Sequence, residues 1–87
     1  MKHLVNAVLL ERGQFVREMA SEKFKNYTLH ISGKSIVLVA QNAEGSMFML
    51  GTSAGVPRVW TVMDNPVTFL INFNVTEWTT VVERDSL

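Results

Sequence analysis

The stretch whose reading decides the fold is Val67-Thr68-Phe69-Leu70-Ile71-Asn72-Phe73. Its seven residues carry five large apolar side chains and no charge. β-Branched and aromatic residues dominate it, and Pro66 stands just before it. Such a composition suits a pleated surface buried on one face and half-buried on the other, so the stretch is predicted to be a strand. The rest of the chain then reads as material that covers it.

Working outward, Asn74 to Glu77 reads as a turn and Trp78 to Glu83 as a further strand. Trp-Thr-Thr-Val-Val is poor helix material. A competing signal is Asn74 with Glu77 three residues on, the spacing of a capping box that would open a helix. Upstream, Asp64-Asn65-Pro66 reads as a turn and Arg58 to Met63 as a strand. Gly51-Thr52-Ser53-Ala54-Gly55-Val56-Pro57 has the composition of a flexible loop. Before it, Ser46 to Leu50 and Ser35 to Gln41 are apolar on both faces, while Tyr27, Leu29 and Ile31 alternate with Thr28, His30 and Ser32. Alternation of that kind marks a half-buried strand. Asn42 to Gly45 and Ser32-Gly33-Lys34 supply the turns between them.

The N-terminal third has a different period. Val5, Val8, Leu9, Phe15, Val16, Met19, Ala20, Phe24 and Tyr27 recur at spacings of three and four, an amphipathic helical stripe over residues 4–27. Gly13 weakens it by about 1 kcal/mol relative to alanine. A helix is therefore predicted from Gln14 to Lys25, with residues 3–12 open between helix and strand. Short turns between successive strands argue for antiparallel neighbours. The expected architecture is a single α+β domain over residues 1–87, with an N-terminal helix packed on an antiparallel meander sheet of five to six strands.

Composition narrows the function classes. Eight basic residues balance eight acidic ones, so no general attraction to nucleic acid or acidic membranes is expected. From Ser46 to Thr76 the only charges are Arg58 and Asp64. No cysteine is present, which excludes a disulfide scaffold and a thiolate metal site. No run approaches the ~18 apolar residues of a membrane span. Leu4 to Leu10 is too short and too interrupted for a signal peptide, so the chain is expected to be cytoplasmic.

The near-matches to catalytic motifs lack their contexts. Gly51-Thr52-Ser53-Ala54-Gly55 has the letters of a nucleophile elbow. That elbow needs a helix after the serine and a histidine downstream; here Val56-Pro57 blocks a helix start and both histidines, His3 and His30, lie upstream. Ser32-Gly33-Lys34-Ser35 echoes a phosphate-binding loop, but Thr28 stands where its first glycine belongs. No carboxylate pair or ligand cluster stands out, and neither cofactor nor metal is expected.

Strand parity predicts two apolar faces. Ile36, Leu38, Phe48, Leu50, Val59, Phe69, Ile71 and Phe73 are assigned to one face, which the helix covers. Val37, Val39, Met47, Met49, Trp60, Val62, Leu70, Trp78 and Val82 are assigned to the other, mixed with Arg58, Thr68, Asn72 and Thr80. One helix cannot cover both, so the second face is expected to close a barrel, pair with a second copy, or meet another protein. The expected function is non-enzymatic protein binding by a small accessory or inhibitor-type protein, of the size common in phages and mobile elements, and a homodimer. Its contacts would be Met47, Met49, Arg58, Trp60 and Trp78 together with the 51–57 loop. Two alternatives are a nucleic-acid-binding module using the basic N-terminal helix and a small barrel holding a small molecule.

Overall fold

A computed structural model of the chain describes residues 6–84. Strand β1 (Val8–Glu11) runs directly into helix α1 (Arg12–Ala20). Strands β2 (Phe24–Ser32), β3 (Ser35–Asn42) and β4 (Met47–Gly51) follow, then helix α2 (Asp64–Asn72) and strand β5 (Thr79–Glu83). The strands form one open sheet in the order β1-β4-β3-β2-β5. This is an α+β fold.

The central three strands form the antiparallel meander that alternation and turn residues predict. Leu29 pairs with Leu38 and Val39 with Met49. Gly33 at φ 60 occupies the first central position of the two-residue turn between β2 and β3, where only glycine adopts that φ without strain. The sheet as a whole is not a meander. β1 joins β4 in parallel and β5 joins β2 in parallel. Two helical crossovers, β1-α1-β2 and β4-α2-β5, each pass over two intervening strands to reach another strand of the same direction. The two crossovers step across the sheet in the same direction from strands of the same orientation, and right-handed connections of that kind lay both helices on one face.

Three expected elements take another form here. First, Val67 to Phe73 is not a strand but most of α2. Pro66 is the third helical residue, where a missing N–H costs nothing, and Asp64 supplies negative charge to the first turn. At the other end Asn74 adopts φ 65. Its N–H donates to the Ile71 carbonyl at 3.0 Å, and the Val75 N–H donates to the Leu70 carbonyl at 3.0 Å. That pair of bonds is a Schellman cap, with asparagine in the left-handed position. Helical period also explains burial: Leu70 is fully buried while Thr68 and Asn72, which share its parity in a strand, are exposed.

Second, the helix expected from Gln14 to Lys25 runs instead from Arg12 to Ala20, and the stretch left open before it holds the four-residue strand β1. Phe24 and Lys25, expected in the helix, begin β2. α1 ends in the same way as α2, with Glu22 at φ 57 and the Lys23 N–H donating to the Glu18 carbonyl at 3.1 Å. Residues 1–5 and 85–87, including His3, lie outside the described residues.

Arg58 to Met63 is not a strand either. Only Pro57, opposite Gly51, and Trp60, opposite Ile36, make isolated bridges. This short segment enters the gap where β4 parts from β3. Gly51 sits at the parting point, and a Cβ there would stand 2.9 Å from Leu9 Cγ and 3.1 Å from the Leu10 carbonyl oxygen, so β1 approaches β4 closely only because this residue is glycine.

Both helices pack on the same side of the sheet. Phe15 and Met19 of α1 and Leu70 of α2 join Phe24, Leu29, Ile36, Leu38, Ala40, Leu50 and Trp60 in the main core. Rings extend it: Phe15 and Phe24 lie 4.9 Å apart, Phe24 and Phe48 5.7 Å, Trp60 and Phe69 6.0 Å. Separations of this size are those of favourable tilted aromatic pairs. On the opposite side a smaller cluster joins Val37 and Val39 to Met47 and Met49. With β1 and β5 at opposite edges, the sheet encloses no barrel interior.

Candidate functional site

A cleft of about 630 Å³ opens between α2 and the loop that follows β4. Its floor is Leu50, Trp60 and Phe69. One wall is a stripe of α2 in which Asn65, Thr68, Phe69 and Asn72 recur at helical spacing. The opposite wall is Thr52, Ser53 and Arg58, and Arg12 closes the site from the first turn of α1. A volume in this range is that of sites that take a small ligand or a few side chains.

The loop wall is held by its own hydrogen bonds. The Thr52 N–H donates to the Val56 carbonyl at 2.8 Å and the Gly55 N–H to the Thr52 carbonyl at 3.1 Å. The Ala54 N–H donates to Thr52 Oγ1 at 3.3 Å, and the Arg58 N–H to the Leu50 carbonyl at 2.9 Å. The nucleophile-elbow letters therefore spell a hairpin loop between two extended segments, with Ser53 at its exposed tip.

Both arginines lie over aromatic rings. The Arg58 guanidinium is 5.5 Å from the Trp60 ring centroid, and Arg12 is 5.7 Å from the centroids of both Phe69 and Phe73. Stacking of this kind holds a guanidinium in place while its in-plane N–H donors stay available. Among the described residues, no carboxylate lines the cleft. The ion pair found among the described residues, Lys23 to Glu18 at 3.5 Å, involves neither arginine.

The structure divides the five residues expected to form one contact surface. Met47 and Met49 stand half-buried on the far face of the sheet. Trp60 belongs to the main core at 7% exposure, and Trp78 packs half-buried against the same core. Their assignment to the second face, and that of Leu70, is thereby corrected. The bridge from Trp60 to Ile36 fixes the tryptophan on the helix side, and Leu70 is placed by helical rather than strand period. Arg58 remains exposed, at the cleft. The 51–57 loop forms the wall beside it.

Sequence reasoning did not find Arg12 or the α2 stripe. The stripe is legible only once the segment is read as a helix, and Arg12 reaches the site only through tertiary packing. A second depression of about 490 Å³, lined by Tyr27, Phe73 and Glu77 among others, lies near the turns that end both helices. It carries charges of both signs, Glu22 and Glu77 with Lys25, where the cleft carries cations of one sign. Among the described residues, no group of histidine and carboxylate side chains could hold a metal ion, and no helix is long and apolar enough to cross a membrane. No protein-family model matches this chain, and no curated protein is detectably similar to it.

Proposed function

We propose that this protein is a non-enzymatic binding module that docks another protein through the segment from Thr52 to Val62 and the cleft behind it. The observation that supports this reading is a cluster of exposed valines in one short segment. Val56, Val59 and Val62 are 52%, 46% and 54% exposed, and they flank Arg58. Large apolar side chains concentrated beside a stacked arginine have the composition of a protein contact surface. The segment is anchored by the buried Trp60, bridged to Ile36, and holds its valines toward solvent.

A photo-crosslinking residue at Val59 tests this. In cells it is expected to give one discrete adduct with a different protein, and the same residue at Val82, exposed on edge strand β5, is expected to give none. Equal labelling from both positions, or none from Val59, removes the segment from consideration.

A second reading is self-association through the face that carries Met47 and Met49. It rests on the apolar cluster those residues form with Val37 and Val39 on the side that neither helix occupies.

A further inference from the structure

We infer that the cleft receives an acidic peptide segment of the partner, with its carboxylates on Arg12 and Arg58 and its neighbouring apolar side chains on Val56 and Val59. The inference rests on the proposed function and specifies the chemistry of the partner.

Charge complementarity is the first argument. Two guanidiniums from different elements converge on one cleft that offers no carboxylate of its own. The segment from Ser46 to Thr76, which builds most of the site, contains only one other charge, Asp64, and Asp64 does not line the cleft. The positive character is thus local and unmatched.

The second argument is preorganisation. Each guanidinium already lies over aromatic rings, Arg58 over Trp60 and Arg12 over Phe69 and Phe73. Little side-chain entropy is then lost when a carboxylate binds, and the planar fork suits two-point contact. Thr52, Ser53 and Thr68 add neutral hydroxyl donors on either side.

The third argument distinguishes a peptide from nucleic acid. Nucleic-acid surfaces present a stripe of many cations along a backbone. Here two arginines sit in a pocket on a chain of zero formal net charge. Another cation, Lys23, is engaged with Glu18 on a different surface. The exposed valines beside Arg58 also match a peptide, which carries apolar side chains next to its acidic ones.

The test is fluorescence polarisation with a labelled peptide of alternating glutamate and leucine, against its glutamine counterpart. The acidic peptide is expected to bind and the glutamine peptide to bind at least about tenfold more weakly, the factor that one lost charge-assisted contact carries. Arg58→Gln is expected to weaken binding about tenfold, with Arg58→Lys intermediate because the point charge remains and the fork is lost. Arg12→Gln is expected to act in the same direction. Lys34→Gln, in the turn between β2 and β3, is expected to have no effect. The emission of Trp60, beneath Arg58, should shift on binding in the wild type and not in Arg58→Gln.

Equal affinity for the two peptides, or binding unchanged by Arg58→Gln, would overturn the inference while a discrete Val59 adduct still upheld the proposed function. Tighter binding of a single-stranded oligonucleotide than of the acidic peptide would overturn it in favour of phosphate recognition. Succinate competing as well as the peptide does would overturn it in favour of a small dicarboxylate.

Discussion

The two faces of the sheet are built differently from strands they share. On the helix side Leu29, Leu38, Ile36 and Leu50 meet Phe15, Trp60 and Leu70 in one continuous core. On the other side Val37 and Val39 are each 3% exposed, and among the described residues their cluster extends only to Met47 and Met49. Towards β5 the rows turn more polar: Val39 faces Thr28 and then Thr79, and Val37 faces His30, with the half-buried Val81 beyond it. The helix side is therefore a core on which the fold depends. The far side is a short apolar strip in a polar surround, and it can accept change.

Placing a charge on each face tests that difference most severely. Trp60→Glu puts a carboxylate where the indole now packs on Phe69, in a site with 7% exposure. Emptying the indole site costs about 3–5 kcal/mol and burying a carboxylate beside Phe69 adds to it, together on the order of the whole stability of a domain this size, so the variant is expected to lose its circular dichroism and precipitate. Met49→Lys, half-buried on the far side, is expected to fold, since a lysine stem can lie along the strip with its head in water. If self-association uses that face, the same variant lowers the solution mass measured by light scattering. A soluble, folded Trp60→Glu protein would show that the two faces are not distinct.

A gentler pair compares adjacent residues of β3. Leu38→Ala empties a fully buried position beneath the helices and is expected to cost about 2–5 kcal/mol. Val39→Ala removes less volume from the smaller cluster and is expected to cost about 1–2 kcal/mol. Urea unfolding of both variants measures the gap. Equal losses would mean that the far strip is packed as fully as the main core.

How much of this was legible in the sequence depends on the range of the forces involved. The meander from Tyr27 to Leu50 was readable because its signals are local, with alternation from Tyr27 to Ser32, short apolar runs after it, and Gly33 in the turn between β2 and β3. β5 was readable for the same reason. Val67 to Phe73 was not, because β-branched and aromatic side chains favour a strand wherever nothing opposes them. What opposed them lay at the ends, in Pro66 placed in a first turn and Asn74 at a left-handed cap. Misreading α2 removed the second crossover, and with it the parallel pairing of β5 to β2. In the site, the loop and Arg58 were visible as an uncharged glycine-rich stretch followed by an isolated cation. Arg12 was not visible as a partner, since only the packing of α1 against α2 brings it over Phe69 and Phe73.

The smallest effect concerns the rim of the helix-side core, where Tyr27 meets Phe24 edge-on at 5.9 Å. Burial raises the Tyr27 phenol above its ordinary value of 10.0, because desolvation penalises the phenolate. As pH rises past that value the unfolded chain releases this proton while the folded chain keeps it. The folded state then binds more protons, and stability falls with increasing pH. The contribution is fully present below the unfolded value and is lost as pH climbs through the higher, folded one. Tyr27→Phe removes the titrating group and should flatten this alkaline decline relative to wild type, while leaving the pH dependence near neutrality unchanged. Urea midpoints for both proteins from about pH 8 to about pH 11 measure it, and the lysines, common to both, cancel in the difference. Parallel curves throughout would mean that the phenol is as well solvated folded as unfolded. The core on the helix side would then end at Phe24 rather than at Tyr27.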